Sequence, residues 1–147
     1  MSATNAPFGL RPAYHPSGLD RAVTLADGIA SAYNTAILKG QPVKLNSSGN
    51  IVVAAAGDAF QGAFAGVQFT DSTGRARVSN NWPANTAYTA GSCVAYYYND
   101  PNIVYEIQAA GSLAQTSVGD MADLSNTTAG STTTGLSACT LSTTLVG

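Results

Sequence analysis

Charged residues are scarce in this chain of 147 residues. They make up 10% of the sequence, against about 25% in an ordinary soluble protein, and alanine outnumbers leucine among the hydrophobic residues. The longest apolar stretch, residues 51–67, is interrupted by Asp58, Gln61 and several glycines, so it falls short of the ~18 uninterrupted apolar residues of a membrane span. These shortages argue against a charged helical bundle, a highly charged disordered tail and an integral membrane protein.

Residues that usually carry catalysis or bind metals are also few. The chain has one histidine, His15, one glutamate, and two cysteines, Cys93 and Cys139, that lack CxxC spacing. This set cannot supply a tetrahedral zinc site, and we expect buried reduced thiols rather than a disulfide. The GxSxG, GxGxxG, Walker and HExxH motifs are missing from the sequence. We therefore expect no enzymatic activity, no metal and no cofactor.

Two weaker chemical possibilities involve aspartates. The segment 71–74, Asp-Ser-Thr-Gly, is similar to the D-[ST]-G motif of aspartic proteases but is one residue too long, and it fits a hairpin turn better. Asp120 and Asp123 could bind calcium if Asp100 lay nearby, although the spacing of an EF-hand is missing. We favour structural roles for these carboxylates.

Basic residues are confined to the first half of the chain. All six lie within residues 1–77, whereas residues 78–147 contain four acidic residues and no basic one. A nucleic-acid-binding surface needs clustered positive charge, so we expect no nucleic-acid partner. The N-terminus has no basic cluster followed by an apolar stretch, so we expect no secretory signal and synthesis in a cytoplasm.

Residues 1–18 contain three prolines and two glycines, which disfavour a helix. Apolar side chains alternate with small or polar ones along this segment, as expected for an extended chain with one anchoring face. We predict an extended N-terminal arm over residues 1–18, followed by a single β domain over residues 19–147. The predicted contact residues of the arm are Phe8, Leu10, Arg11 and Tyr14. A second interpretation is that the arm packs on its own domain.

The sequence that follows the arm predicts an all-β fold, which would be a small antiparallel β-barrel or β-sandwich. Turn residues separate short strand-like segments every 8–12 residues or so, which is typical of these folds. The predicted hairpins join 42–45 to 51–53, 65–69 to 76–78, and 92–98 to 103–108. Residues 20–40 fit either an amphipathic helix or short strands, and we favour strands. We also expect a long surface loop over 126–134 and a last strand over 139–146.

Aromatic residues suggest a contact surface. Alternation along residues 96–98 directs Tyr97 to one face of a strand and its two tyrosine neighbours to the other. Trp82 lies in an Asn- and Pro-rich segment typical of a loop. Because Tyr and Trp are enriched at interfaces, Trp82 and Tyr97 are further contact candidates. The alternative for Trp82 is that it caps one end of the core.

Several short motifs, taken in order, resemble the small head decoration, or cement, proteins of tailed bacteriophages. They are NAPFGLRP at residues 5–12, KGQPV at 39–43, GAFAGV at 62–67, TDSTG at 70–74, WPA at 82–84, DP at 100–101, YEIQA at 105–109 and VGDMADL at 118–124. No single motif is specific, and together they cover most of the chain.

The resemblance implies a structural protein of the virion that has no catalytic residues. Such a protein would assemble in the host cytoplasm and bind the outer surface of the capsid, where it would bridge and stabilise major capsid protein subunits. It would also contact copies of itself, as a homodimer or a homotrimer. The alternative function is a carbohydrate- or receptor-binding β-module of a phage fibre or tail, in which exposed tyrosine and tryptophan would form the binding platform.

Overall fold

The structure, a computed structural model, describes residues 5–18 and 21–146. It contains short β-strands and, within these residues, a single turn of 3-10 helix at Gln115–Ser117. The strands are β1 (Arg11–Tyr14), β2 (Val23–Ala26), β3 (Pro42–Leu45), β4 (Ile51–Val53), β5 (Gly62–Thr70), β6 (Ala76–Ser79), β7 (Val94–Tyr98), β8 (Val104–Glu106), β9 (Met121–Ser125), β10 (Gly130–Ser131), β11 (Leu136–Ser137) and β12 (Thr140–Val146). The predicted all-β class is confirmed.

The main sheet has six antiparallel strands. Its order is β2-β7-β5-β3-β4, and β6 also pairs with β5. Three two-stranded ribbons complete the described fold: β1 with β8, β9 with β12, and β10 with β11. The sheets do not close into a barrel, and the arrangement is consistent with a β-sandwich. No helix in the described ranges is long and apolar enough to cross a membrane.

Two of the predicted hairpins are confirmed, and the same kind of turn closes both. In the β3–β4 turn, Asn46 Oδ1 accepts the backbone N–H groups of Ser48 and Asn50, each at 3.0 Å. In the β5–β6 turn, Asp71 Oδ1 accepts the N–H groups of Thr73 at 2.9 Å and of Arg75 at 3.0 Å. Hydrogen bonds from the Thr73 hydroxyl, the Arg75 N–H and the Arg77 guanidinium hold the pKa of Asp71 well below its usual value.

The third predicted hairpin is wrong. Strand β7 pairs with β2 on one edge and with β5 on the other, so neither edge is left for β8. After the turn at residues 99–102 the chain leaves the main sheet, and β8 pairs with β1 instead. The predicted surface loop at 126–134 contains β10, and β2 is the only named strand in the described part of residues 20–40.

The larger core cluster lies on the main sheet and surrounds Trp82, whose side chain is fully buried. The Trp82 ring makes edge-to-face contacts with Phe69, at 5.2 Å between centroids, and with Tyr88, at 5.9 Å. Its backbone pairs with that of Ile37, which fixes the loop on the sheet. The prediction that Trp82 lies on a contact surface is therefore corrected, because the side chain is buried in the core, as the core-capping alternative requires.

A smaller core cluster joins the main sheet to the β9–β12 ribbon. Its buried members are Leu10, Ala63, Leu124 and Cys139. Cys93 belongs to the larger cluster, and both cysteines are free and buried, as predicted. Burial raises the pKa of the Cys93 thiol and raises the pKa of Cys139 to about 11. Neither thiol is therefore activated as a nucleophile.

Both thiols should resist modification in the folded protein. We expect Ellman's reagent at mildly alkaline pH to label neither cysteine in the native chain and to label both in denaturant. Because the pKa of Cys139 is about 11 in the fold against an ordinary 9.0, its burial should also make the protein less stable as pH rises through that interval. Rapid labelling of the native chain would contradict this prediction.

Trp82 should tolerate replacement by phenylalanine better than replacement by alanine. Its Nε1–H is buried and finds no hydrogen-bond partner among the described residues, a situation that costs about 1–3 kcal/mol. Trp82→Ala should lower the free energy of unfolding by about 3–5 kcal/mol, because it leaves a large cavity. Trp82→Phe keeps an aromatic ring and removes the unpaired donor, so its loss should be well under half as large.

Chemical denaturation followed by circular dichroism measures both variants, because each removes the only tryptophan. Equal losses for the two variants would show that the aromatic contacts do not hold this core together.

Candidate functional site

The N-terminal segment, residues 5–14, packs on its own domain, as the second interpretation of the arm proposed. The Leu10 N–H donates to Gly40 O at 2.8 Å, and the Leu10 side chain is buried in the smaller core cluster. Residues 1–4 of the predicted arm lie outside the described residues, as do 19, 20 and 147 of the predicted β domain. The prediction that Leu10 anchors the arm to a partner is corrected, because its side chain anchors the segment to this chain.

The β1–β8 ribbon has an inner and an outer face. Cross-strand partners in an antiparallel ribbon share a face, and the register pairs Arg11 with Glu106 and Tyr14 with Val104. Between these pairs Pro12 faces Tyr105, which packs against the smaller core cluster. The outer face therefore presents Arg11, Tyr14, Val104 and Glu106, and we call these four residues the ribbon face.

The ribbon face combines an exposed apolar pair with a neutralised charge. Tyr14 is 61% exposed and Val104 is 54% exposed, which is high for large hydrophobic side chains. Beside them, Arg11 Nη2 lies 2.5 Å from Glu106 Oε2, and the Arg11 guanidinium lies over the Phe8 ring, 4.8 Å from its centroid. Apolar surface next to a compensated ion pair is suited to contact with another protein.

His15 fastens the end of β1 to the turn between β7 and β8. Its Nε2 lies 3.0 Å from Asp100 Oδ2, and its Nδ1 accepts the Ser17 N–H at 3.1 Å and lies 2.6 Å from Ser17 Oγ. Because Nδ1 accepts the Ser17 N–H, Nε2 is the nitrogen that donates to Asp100. The Asn102 N–H, and then His15, hold the pKa of Asp100 below its ordinary value.

Ser17, His15 and Asp100 are the residue types of a nucleophilic triad, and they line an open cavity of about 510 Å³. The histidine nitrogen next to the hydroxyl also accepts the backbone N–H of the same serine, two residues along the chain. Both contacts belong to one local turn. We therefore interpret the three residues as a structural contact that holds the N-terminal segment on the domain. Within the described residues, no three His, Cys, Asp or Glu side chains are placed to hold a metal ion, so the aspartates considered for calcium are not brought together.

The prediction that Tyr97, the other aromatic candidate, lies on a contact surface is also corrected. It is 6% exposed, because its strand is central in the main sheet and its side chain points into the larger core cluster. Of the six predicted contact residues, the structure places Phe8 against Arg11, and it places Arg11 on the ribbon face with Tyr14. It adds Val104 and Glu106, which sequence reasoning missed because their register with β1 depends on pairing between distant segments.

Comparisons of this chain with protein-family models, with curated proteins and with solved structures find no match. The ribbon face and the contacts around it are therefore the starting point for a function.

Gly9 should be essential to the docking of the N-terminal segment. Its φ is +73°, and a Cβ added there would lie 2.5 Å from Gly40 O and 2.8 Å from Ser137 Cβ. Gly49, in the β3–β4 turn, has a similar φ of +79° but open space around it. Gly49→Ala should cost about 1–2 kcal/mol from backbone strain alone, and Gly9→Ala should cost clearly more.

The midpoints of urea denaturation compare the two glycine variants. Equal shifts in the midpoint would show that the close approach between Gly9 and Gly40 does not contribute to the cost of the Gly9 substitution.

Proposed function

We propose that this protein is a capsid decoration protein of a tailed bacteriophage. In this proposal it binds the outer surface of the phage head, bridges neighbouring major capsid protein subunits and contacts copies of itself as a dimer or a trimer. It acts in the virion as a structural protein without catalytic activity. The resemblance of its motifs to head cement proteins supports this function, and so does the all-β fold.

The observation that carries the proposal is the exposed ribbon face. Tyr14 and Val104 offer apolar surface on a ribbon whose other face packs on the domain through Tyr105. The segment is fixed at one end by Leu10 in the core and at the other by the His15–Asp100 contact. Little ordering is thus required on binding, which favours affinity. Many copies bound to a regular shell would add avidity to a modest single contact.

The fibre-module alternative is less well supported. It requires a platform of exposed aromatic side chains on which a sugar ring can stack. Trp82 is fully buried and Tyr97 nearly so, and both lie in the core of the main sheet. The tryptophan of the expected platform therefore does not reach the surface of a single chain.

Substitution of Val104 by serine tests the proposal. Val104→Ser should weaken loading onto purified capsid shells about tenfold, because burial of a valine side chain contributes about 1.5–3 kcal/mol. Val78→Ser is the matched control, since Val78 is 81% exposed on β6 in the main sheet. Co-sedimentation with capsids measures loading of both variants.

The proposal predicts that Val78→Ser loads like the native chain. It is contradicted if the native chain does not co-sediment with capsids, if Val104→Ser loads normally, or if both variants lose the same amount. Deletion of the N-terminal segment would be a poorer test, because it removes Leu10 from the core and leaves β8 without a partner.

A further inference from the structure

A small apolar cleft lies where the N-terminal segment meets the domain. Its volume is about 200 Å³, and Phe8 and Leu10 from the segment line it together with Phe64 from β5. Leu136, which is 49% exposed, also lines the cleft. A cavity of about 150 Å³ lined by similar side chains is large enough to hold benzene. The cleft therefore has room for one large apolar side chain.

Backbone hydrogen bonds hold the walls of this cleft in place. Leu10 N–H donates to Gly40 O at 2.8 Å, and Gly40 N–H donates to Phe64 O at 2.8 Å. On the other side of Gly40, Lys39 N–H donates to Gly135 O at 2.9 Å, and Lys39 O accepts the Ser137 N–H at 3.0 Å. The cleft is thus already formed in the single chain.

Two basic residues, Arg11 and Lys39, line this apolar site. The guanidinium of Arg11 is neutralised by Glu106. The ammonium of exposed Lys39 forms no ion pair or hydrogen bond with any residue that the structure describes. An apolar ligand that carries a carboxylate would fill the cleft and also find a partner for Lys39.

We propose that the cleft binds one large apolar side chain of a partner protein, adjacent to an acidic residue of that protein. Resting on the proposed function, the partner is an exposed segment of the major capsid protein. The apolar side chain enters between Phe8 and Leu136, and the neighbouring carboxylate pairs with Lys39. The ribbon face lies on the same N-terminal segment, so both sites engage one partner surface.

The binding chemistry can be tested without the capsid. Hydrocinnamate combines a phenyl ring with a carboxylate, and hydrocinnamyl alcohol has the same ring without the charge. In chemical-shift titrations of the isotope-labelled full chain, hydrocinnamate should saturate the cleft residues at millimolar concentration. It should bind about threefold to fivefold more tightly than the alcohol, as expected for one solvent-exposed ion pair.

Substitution of Lys39 identifies the source of this preference. Lys39→Gln should bring the affinity for hydrocinnamate down to that for the alcohol and leave the affinity for the alcohol unchanged. Arg75→Gln is the matched control, because Arg75 is exposed and unpaired in the described structure but lies in the β5–β6 turn. Failure of hydrocinnamate to saturate the cleft residues, or a preference that survives Lys39→Gln, would overturn the proposal.

Capsid loading separates this inference from the proposed function. If the native chain loads onto capsids and Lys39→Glu lowers loading at least tenfold while Arg75→Glu does not, the cleft takes part in capsid binding. If hydrocinnamate binds as expected but the native chain does not load, the proposed capsid function is wrong. The proposal that the cleft binds an apolar group next to a carboxylate is then still supported. If the native chain loads and Lys39→Glu loads equally well, the capsid segment is not the occupant of the cleft.

Discussion

Both edges of β7 are occupied, and much of the surface organisation depends on this constraint. With β2 on one side and β5 on the other, the strand that follows the turn at residues 99–102 cannot fold back as a hairpin. Its backbone groups still need partners, because unpaired polar groups near a core are costly. The N-terminal segment supplies those partners as β1. The N-terminal segment, whose composition predicts an extended arm, therefore packs on the domain.

Docking of that segment creates two surfaces at once. The β1–β8 register places Tyr14 beside Val104 on the outside, while Leu10 enters the smaller core cluster on the inside. Phe8 of the same segment borders the apolar cleft together with Gly40. This close approach of two backbones is possible because Gly9 has no side chain. The ribbon face and the cleft therefore share a single structural cause.

The sequence predicts those parts of the fold that are determined locally. Asn46 and Asp71 each close a turn with their own side chains, so the two hairpins are visible from residues at fixed spacing. The β1–β8 pairing joins residues as far as 95 positions apart, and no local pattern encodes such a choice of partner. Trp82 shows the same limit, because its polar neighbours indicate a loop, whereas Phe69 and Tyr88 from other segments surround its ring.

Because charged residues are scarce, each basic residue without an ion pair is a candidate for binding a partner. Within the described residues, Arg11, Lys44 and Arg77 each contact a carboxylate of the same chain. Arg21, Lys39 and Arg75 have no such contact. Arg75 lies in a solvated hairpin turn and Arg21 beside the open cavity at His15, whereas Lys39 lines a preformed apolar cleft. A ligand that carries both an apolar group and a carboxylate can therefore fill this cleft and pair with Lys39, a combination that the surroundings of Arg75 do not offer.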